Sequence, residues 1–239
     1  NVNGTIGGTF VTQWGYGAQD QVVWMKYPAN NSGGVGEPVN FGYNARLLLN
    51  SVVGTNTYVQ GTTYDAAGRV KLRTMVSGVL ATEYTYYDWT TANGRGRLRW
   101  MRSGAVSPYE TLQKMEYSYD AVGNVLTIKD YNAGGTQTQS FTYDALNRLV
   151  SAAASGGNEG TYGPESYTYN ALGNLTNKAG VAYGYNDAAH KHAVTHLGGM
   201  QKYWYDANGN QTTRITAGGT YLSLIHISEP TRLLSISYA

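Results

Sequence analysis

Three histidines supply the residue types that could bind a metal ion. His190, His192 and His196 lie within seven residues of one another, and a strand would present His190 and His192 on one face. Zinc takes three or four ligands that converge at about 2 Å. The chain has no cysteine, and the nearby Asp187 is expected in a turn. The pattern therefore favours polar side chains at a hairpin over a metal site, and we predict no cofactor.

Three arginines could bind an anionic partner. Arg95, Arg97 and Arg99 alternate with other residues, so three guanidinium groups could line one face of a strand and contact an anionic cargo or a polysaccharide. A solvated strand face, with Leu98 and Trp100 packed beneath it, explains the same alternation without any ligand. We favour this second interpretation.

A recurring acidic residue is the remaining candidate for chemistry. It follows a tyrosine each time, and asparagine replaces it at positions 170 and 186. A catalytic carboxylate does not tolerate that exchange, whereas a turn does, because both side chains can accept a hydrogen bond from the backbone two residues on. No Ser-His-Asp order, glycine-rich phosphate loop or pair of carboxylates stands out. We therefore predict that the chain is not an enzyme. The acidic copies are Asp65, Asp120, Asp144 and Asp206.

The acidic residue belongs to a short sequence motif, here called a phrase, that predicts a β-hairpin. In residues 117–125, Tyr117 and Tyr119 are placed to share one face of a strand. Asp120 can bond its own backbone, Gly123 can adopt the left-handed conformation, and Val125 then opens the returning strand. A strand, a tight turn and a second strand are thus encoded in nine residues.

Repetition of this phrase predicts the architecture. Clear copies occupy residues 64–70, 141–149, 167–175 and 203–211, and looser ones begin at residues 41, 84 and 183. A faded copy at residues 16–20 would be a ninth. Repeats at this spacing indicate one hairpin each, with outer loops of variable length. The residues predicted to be structural in the repeats are Tyr64, Asp65, Gly68, Tyr117, Tyr119, Asp120, Gly123, Tyr143, Asp144, Tyr167, Tyr169, Gly173, Tyr203, Tyr205, Asp206 and Gly209.

These phrases resemble the YD-repeat family, also called Rhs (rearrangement hot spot) repeats, over residues 14–221. The resemblance implies an all-β fold in which antiparallel hairpins join into a curved sheet, a wall section of a hollow shell. It implies a non-enzymatic scaffold that encloses and delivers a C-terminal toxin domain in a secreted or surface-located bacterial protein. Its partners would be the other repeats of the full-length chain and that toxin. The alternative is a cell-surface adhesion or carbohydrate-binding module that uses exposed tyrosine and tryptophan.

Composition limits the possible partners. Charged residues make up 13% of the chain, about half the usual share, and the net charge is +2. So small a charge gives no long-range field, so we predict no nucleic-acid partner. No run approaches the roughly 18 apolar residues of a membrane span. The chain begins at Asn1 without a basic and apolar leader, so we expect that any export signal lies upstream or was never present.

The C-terminal 18 residues lack the repeated phrase of the rest of the chain. Residues 222–232 and 236–239 correspond, codon by codon, to the translation of a transposase-type sequencing adapter. We therefore predict a repeat region over residues 1–221, with eight or nine hairpins, followed by a non-native tail over residues 222–239. Such a tail was never selected to pack, so we expect it to lack a consistent hairpin partner. The alternative for the tail is a genuine amphipathic strand.

Overall fold

The structure, a computed structural model, describes residues 11–29, 35–105, 107–158 and 160–227. Almost all of the regular structure in these ranges is antiparallel β-sheet, with one turn of 3-10 helix at Val76–Gly78. None of the described residues form a helix long and apolar enough to cross a membrane. The predicted all-β fold of successive antiparallel hairpins is confirmed.

The chain divides into two compact units. The first comprises residues 1–138 and 156–159, and the second comprises residues 139–155 and 160–239. Strand β11, Gln137–Tyr143, contains the point at which the chain passes from the first unit to the second.

The first unit is a meander in which each strand pairs antiparallel with the next, from β1 to β10. Its strands are β1 Gln13–Tyr16, β2 Val22–Pro28, β3 Val35–Tyr43, β4 Leu49–Val53, β5 Thr57–Tyr64, β6 Val70–Met75, β7 Leu80–Tyr86, β8 Leu98–Gly104, β9 Gln113–Tyr119 and β10 Val125–Asp130. Because every strand pairs with its neighbour in sequence, each tyrosine–aspartate phrase closes one hairpin.

The second unit continues the same scheme. Strands β12 to β17 pair in sequence order, and β18 to β20 form a three-stranded sheet. The strands are β12 Leu149–Gly156, β13 Tyr162–Tyr169, β14 Leu175–Lys178, β15 Val181–Gly184, β16 His196–Leu197, β17 Met200–Gln201, β18 Tyr203–Tyr205, β19 Gln211–Thr216 and β20 Gly219–Ile227.

Few side chains are fully buried. The buried hydrophobic residues among those described are mostly alanines, and no large side chain falls below 2% exposure. The set is Val39, Ala81, Tyr117, Ala133, Ala152, Ala154 and Ala193. Since strands contact chiefly their sequence neighbours, stability must come from hairpin-to-hairpin contacts rather than from one thick core.

The predicted boundary after Tyr221 does not coincide with a strand end, because β20 runs to Ile227. Leu222 lies opposite Thr213 and Ile227 lies opposite Gln211, so the pairing shifts register within this stretch. The expectation that the tail lacks a hairpin partner is therefore wrong for Leu222 and Ile227. Residues 228–239 lie outside the described residues, and the origin of the tail stays a prediction.

Candidate functional site: the tyrosine–aspartate turns

The turn between β5 and β6 shows what the repeated phrase builds. The Asp65 amide donates to the Arg69 carbonyl at 2.9 Å, and the Gly68 amide donates to the Asp65 carbonyl at 3.1 Å. This is a three-residue hairpin loop, a tight turn followed by one residue at positive φ. Gly68 occupies that position with φ of 84°.

Further copies of the phrase repeat this geometry. In each copy, the backbone N–H of the aspartate or asparagine donates to the backbone carbonyl four residues further along the chain, at 2.9–3.0 Å. The positive-φ residues are Leu47 (60°), Gly123 (109°), Asn147 (59°), Gly173 (85°) and Gly209 (82°). The faded copy also forms such a turn, since the Gly17 amide donates to the Gln21 carbonyl and Asp20 has φ of 59°.

The acidic side chains accept hydrogen bonds from the backbone of their own turns. Asp120 Oδ1 accepts from the amides of Val122 (3.0 Å), Gly123 (2.7 Å) and Asn124 (2.8 Å). Burial acts to raise the pKa of Asp120, but the hydrogen bonds from Asn124, Gly123 and Val122 hold it below its usual range. Asn170 Oδ1 accepts equivalent bonds from two amides at 3.0 Å. An uncharged amide therefore performs the same task, which requires no acid–base chemistry.

Two turns add an ion pair to this arrangement. Asp65 Oδ2 lies 2.6 Å from a terminal nitrogen of Arg69, and Asp144 Oδ2 lies 2.7 Å from that of Arg148. The hydrogen bonds from Arg148 lower the pKa of Asp144. Each guanidinium is held over the ring of a tyrosine in the following hairpin, Arg69 at 4.1 Å from Tyr86 and Arg148 at 4.6 Å from the Tyr169 ring. The turn thus orients a cation toward the next repeat.

Tyrosine hydroxyls connect each hairpin to the preceding one. In the bonds below, a tyrosine at or next to the end of the strand before the turn donates to a backbone carbonyl at or near the start of the strand that follows the previous turn. The bonds are Tyr43 to Val22 (2.8 Å), Tyr64 to Leu49, Tyr86 to Val70 (2.8 Å), Tyr119 to Leu98 (2.8 Å), Tyr169 to Leu149 (2.9 Å), Tyr185 to Leu175 (2.9 Å) and Tyr205 to Val194 (2.9 Å). We call this series the tyrosine ladder.

The ladder differs from a series of stacked tyrosine rings. Cross-strand aromatic pairs would be another way to explain a tyrosine in every repeat. In the part of the chain that the structure describes, ring pairs occur at Tyr87–Tyr119 (6.3 Å) and Trp100–Tyr131 (5.5 Å). The contact that recurs from hairpin to hairpin is the hydroxyl bond rather than a pairing of two rings. In the sequence, the tyrosine that recurs just before the aspartate or asparagine of the turn is the feature from which this hydroxyl contact could have been predicted.

The first tyrosine of each phrase has a different setting. Tyr117 is 7% exposed, the Tyr167 hydroxyl donates to Glu165 at 2.8 Å, and Tyr203 is half-buried. Tyr143 closes β11 directly before Asp144. All the predicted repeat tyrosines are thus buried or half-buried.

Arginines also connect consecutive turns in the first unit. Arg46 donates to the carbonyls of Asp65 (2.8 Å) and Ala66 (3.0 Å). Arg69 donates to the Gly96 carbonyl, and Arg97 donates to the Val122 carbonyl at 3.1 Å. Each guanidinium is a permanent cation, and each accepting carbonyl belongs to the next turn or loop. Consecutive turns are therefore linked side by side.

The arginine triplet does not line one strand. Only Arg99 lies in β8, which begins at Leu98. Arg97 lies in the preceding loop and points to the next turn, whereas Arg99 lies 3.5 Å from Glu116. A continuous cationic face for an anionic ligand is therefore not formed by these residues.

The three histidines do not converge. His190 Nδ1 lies 2.9 Å from Asp187 Oδ2, His192 Nδ1 lies 2.6 Å from Asn174 Oδ1, and His196 Nδ1 lies 2.8 Å from Thr195 Oγ1. Among the described residues, no group of three His, Cys, Asp or Glu side chains could hold a metal ion. Each histidine instead has a hydrogen-bond partner of its own.

The recurrent turns are matched by a sequence family. The model of the teneurin YD-shell family matches residues 95–237, more than half of the chain. The chain belongs to the teneurin YD-shell family. The predicted YD-repeat membership is confirmed. The match extends into residues 222–237, so it does not mark the predicted boundary after Tyr221. No curated protein matches the sequence.

Solved structures show the same YD-shell fold. A crystal structure of TcdB2-TccC3 with Cdc42 is 18% identical, with a TM-score of 0.56, and the match covers 90% of this chain. A crystal structure of TcdB2-TccC3 without its hypervariable C-terminal region is also 18% identical, with a TM-score of 0.58 and the same coverage. The chain spans 14% of the length of those chains. It is thus similar in fold to a small section of those much longer chains.

The YD-shell tyrosine ladder predicts a loss of stability in alkali. Burial raises the pKa of Tyr119 to about 12, with smaller contributions from Tyr117 and Tyr87. An unfolded tyrosine ionises near pH 10, so the unfolded state loses its proton first and the free energy of unfolding falls as the pH rises from about 10 to 12. Tyr119→Phe should reduce this fall and, at about pH 9, cost about 1 kcal/mol for the lost hydrogen bond.

The measurement is urea unfolding of the full chain at several pH values between about 9 and 11.5. Tyr16→Phe is the control, because the Tyr16 side chain is 63% exposed. An alkaline slope that is as steep in Tyr119→Phe as in the parent chain would contradict the prediction.

Proposed function

We propose that this chain is a wall section of a bacterial Rhs-type shell that encloses and delivers a C-terminal toxin domain. The supporting observation is that the repeated polar residues are engaged in holding hairpins together. The carboxylate of Asp120 accepts backbone amides of its own turn, and the Tyr119 hydroxyl bonds the preceding hairpin. A wall is held together by such hydrogen bonds within the chain, whereas a catalytic site needs groups directed toward a substrate.

The structural relatives support the same proposal. The YD-shell family is a structural family, and one similar structure is of TcdB2-TccC3 without a hypervariable C-terminal region. A variable region beyond a constant shell is the organisation expected of a carrier for interchangeable cargo. The protein is then secreted or located at the cell surface, and its partners are the other repeats of its full-length chain and the enclosed toxin. We propose no enzymatic activity for the shell section itself.

One feature favours a second candidate, a carbohydrate-binding adhesion module. An open depression of about 380 Å³ in the second unit is lined by Trp204, Asn186, Asp187 and Gln201, among others. A tryptophan ring beside amide and carboxylate groups is a composition that can hold a sugar ring. By contrast, the repeat tyrosines are buried or half-buried and present no exposed stripe.

A full-length protein that carries these repeats and a downstream domain distinguishes the two functions. We expect the downstream domain to resist protease in the full-length protein and to be cleaved rapidly when it is expressed alone. Equal cleavage in both settings would overturn the carrier function. Glycan-array binding that is lost in Trp204→Ala, in a protein that keeps its fold, would support the adhesion module instead.

A further inference from the structure

His190 occupies a place that permanent cations occupy elsewhere in the repeat series. In the first unit, Arg46, Arg69 and Arg97 donate from one turn to a backbone carbonyl of the next. In the second unit, His190 Nε2 lies 3.4 Å from the carbonyl oxygen of Ala207, which belongs to the next turn. The contact between these turns therefore uses a side chain whose charge changes near neutral pH.

The geometry around the ring distinguishes between its protonation states. His190 Nδ1 lies 2.9 Å from Asp187 Oδ2, and Nε2 faces the Ala207 carbonyl. A carboxylate and a carbonyl can only accept hydrogen bonds. A neutral imidazole carries one N–H, so either tautomer directs a lone pair at one of these oxygens. Only the imidazolium can donate to both.

Packing holds the ring in this place. The His190 side chain is 16% exposed. A Cβ at Gly209 would lie 3.3 Å from His190 Cδ2, so the ring rests against the glycine of the next turn. Asp187 Oδ1 also accepts the amides of Ala189 (2.9 Å) and His190 (3.3 Å), which fixes the carboxylate beside the ring.

Charged and titratable neighbours lie on both sides of the ring, and Asp187 is the carboxylate that favours a positive charge on it. The Asp206 carboxylate, on the next turn, accepts from the amides of Asn208 and Asn210 at 2.9 Å. His192 bonds Asn174, and the Tyr205 hydroxyl donates to Val194. Lys191 is exposed. These neighbouring groups are Asp187, Lys191, His192, Tyr205 and Asp206.

We propose that His190 is a proton-dependent link between the 185–195 loop and the 206–210 turn, joined when the ring is protonated and weakened when it is neutral. The proposal goes beyond the shell function and does not depend on an enclosed cargo. The hydrogen bond from His190 is the main cause that lowers the pKa of Asp187, in keeping with a carboxylate that stays charged beside the ring.

The sign of the effect follows from the preference for the imidazolium. A histidine whose charged form is favoured in the folded state releases its proton above its ordinary value of about 6.5. The link is therefore complete below about pH 6.5 and is lost as the pH rises through the folded-state value. The second unit should open more readily at this loop in mildly alkaline solution than in mildly acidic solution.

Ring nitrogen NMR of the full chain, labelled at histidine, tests the protonation state directly. We expect both His190 nitrogens to carry protons below the midpoint of the ring's titration, and we expect this midpoint to lie above the ordinary value of about 6.5. Asp187→Asn should lower that midpoint. A midpoint at or below about 6.5 would overturn the proposal.

Limited digestion with a protease that cleaves only after lysine tests the opening. The ratio of cleavage after Lys191 to cleavage after Lys178, both exposed, cancels the pH dependence of the protease. We expect this ratio to rise about threefold or more between about pH 6 and 8.5 in the parent chain. It should stay low in His190→Arg, stay high in His190→Gln, and follow the parent chain in the control His192→Gln. A ratio that is flat in the parent chain would refute the link, whatever the outcome for cargo protection.

Discussion

Replacement of Gly123 by alanine is expected to lower the free energy of unfolding by about 2–3 kcal/mol. Gly123 has φ of 109°, a conformation that L side chains rarely adopt. An added Cβ would also lie 2.3 Å from a terminal nitrogen of Arg97. The guanidinium could move away, but it would then lose its hydrogen bond to Val122 and its place over the Tyr119 ring. One methyl group therefore disturbs both the turn and its link to the neighbouring loop.

Urea unfolding of the full chain measures this change, and Gly61→Ala is the matched control in the same unit. Gly61 lies in β5, and a Cβ there would meet only Thr74 Oγ1 at 3.5 Å, an ordinary contact. We expect the control to change stability by less than about 1 kcal/mol. Similar losses in the two variants would show that the turn conformation of Gly123 is not what matters.

Replacement of Asp65 by alanine is expected to cost about 1–2 kcal/mol, as the loss of a capping side chain does. Asp65 Oδ1 accepts the Arg69 amide at 2.9 Å, and Oδ2 binds the Arg69 side chain at 2.7 Å. Without the carboxylate, Arg69 is no longer held over Tyr86 and directed to the Gly96 carbonyl. The lost contacts therefore extend from one turn to the next.

Asp65→Asn is the informative comparison, because asparagine occupies the same place at Asn170 and keeps the amide bonds there. We expect it to retain most of the stability. Burial acts to raise the pKa of Asp65, but the bonds from Arg69 lower it overall, so its contribution is present above about pH 4 and is lost as the pH falls through the folded-state value. Asp65→Asn should therefore show a smaller acid-dependent loss than the parent chain. Equal destabilisation by alanine and asparagine would argue that the charge, not the acceptor oxygen, is essential.

These two predictions connect the stability of the turns with the role of the chain as part of a shell wall. A wall made of sequential hairpins is as stable as its hairpin-to-hairpin contacts, since no thick core compensates for a weak one. Under the proposed carrier function, substitutions in a turn should therefore weaken cargo protection in a full-length protein, in the same rank order as they lower the free energy of unfolding.

The sequence alone determined the hairpins and their turns. Asp65 and Gly68, three residues apart, specify a three-residue loop because one side chain caps the local amides and the other residue tolerates positive φ. These are short-range effects, so they can be predicted from neighbouring residues. The family could also be recognised from the sequence, because the repeated phrase is made of neighbouring residues.

The tertiary structure decided which groups meet across hairpins. Tyr119 reaches the Leu98 carbonyl, Arg69 reaches Gly96, and His190 reaches Ala207. These partners are separated by intervening loops of variable length, so their meeting depends on the register of several strand pairs and on the position of each turn beside the next. The sequence pattern contains the residue types, but the distances arise only when adjacent hairpins pack side by side. The same physical reason explains why three histidines close in sequence do not form a metal site: the loops direct each ring to a different partner.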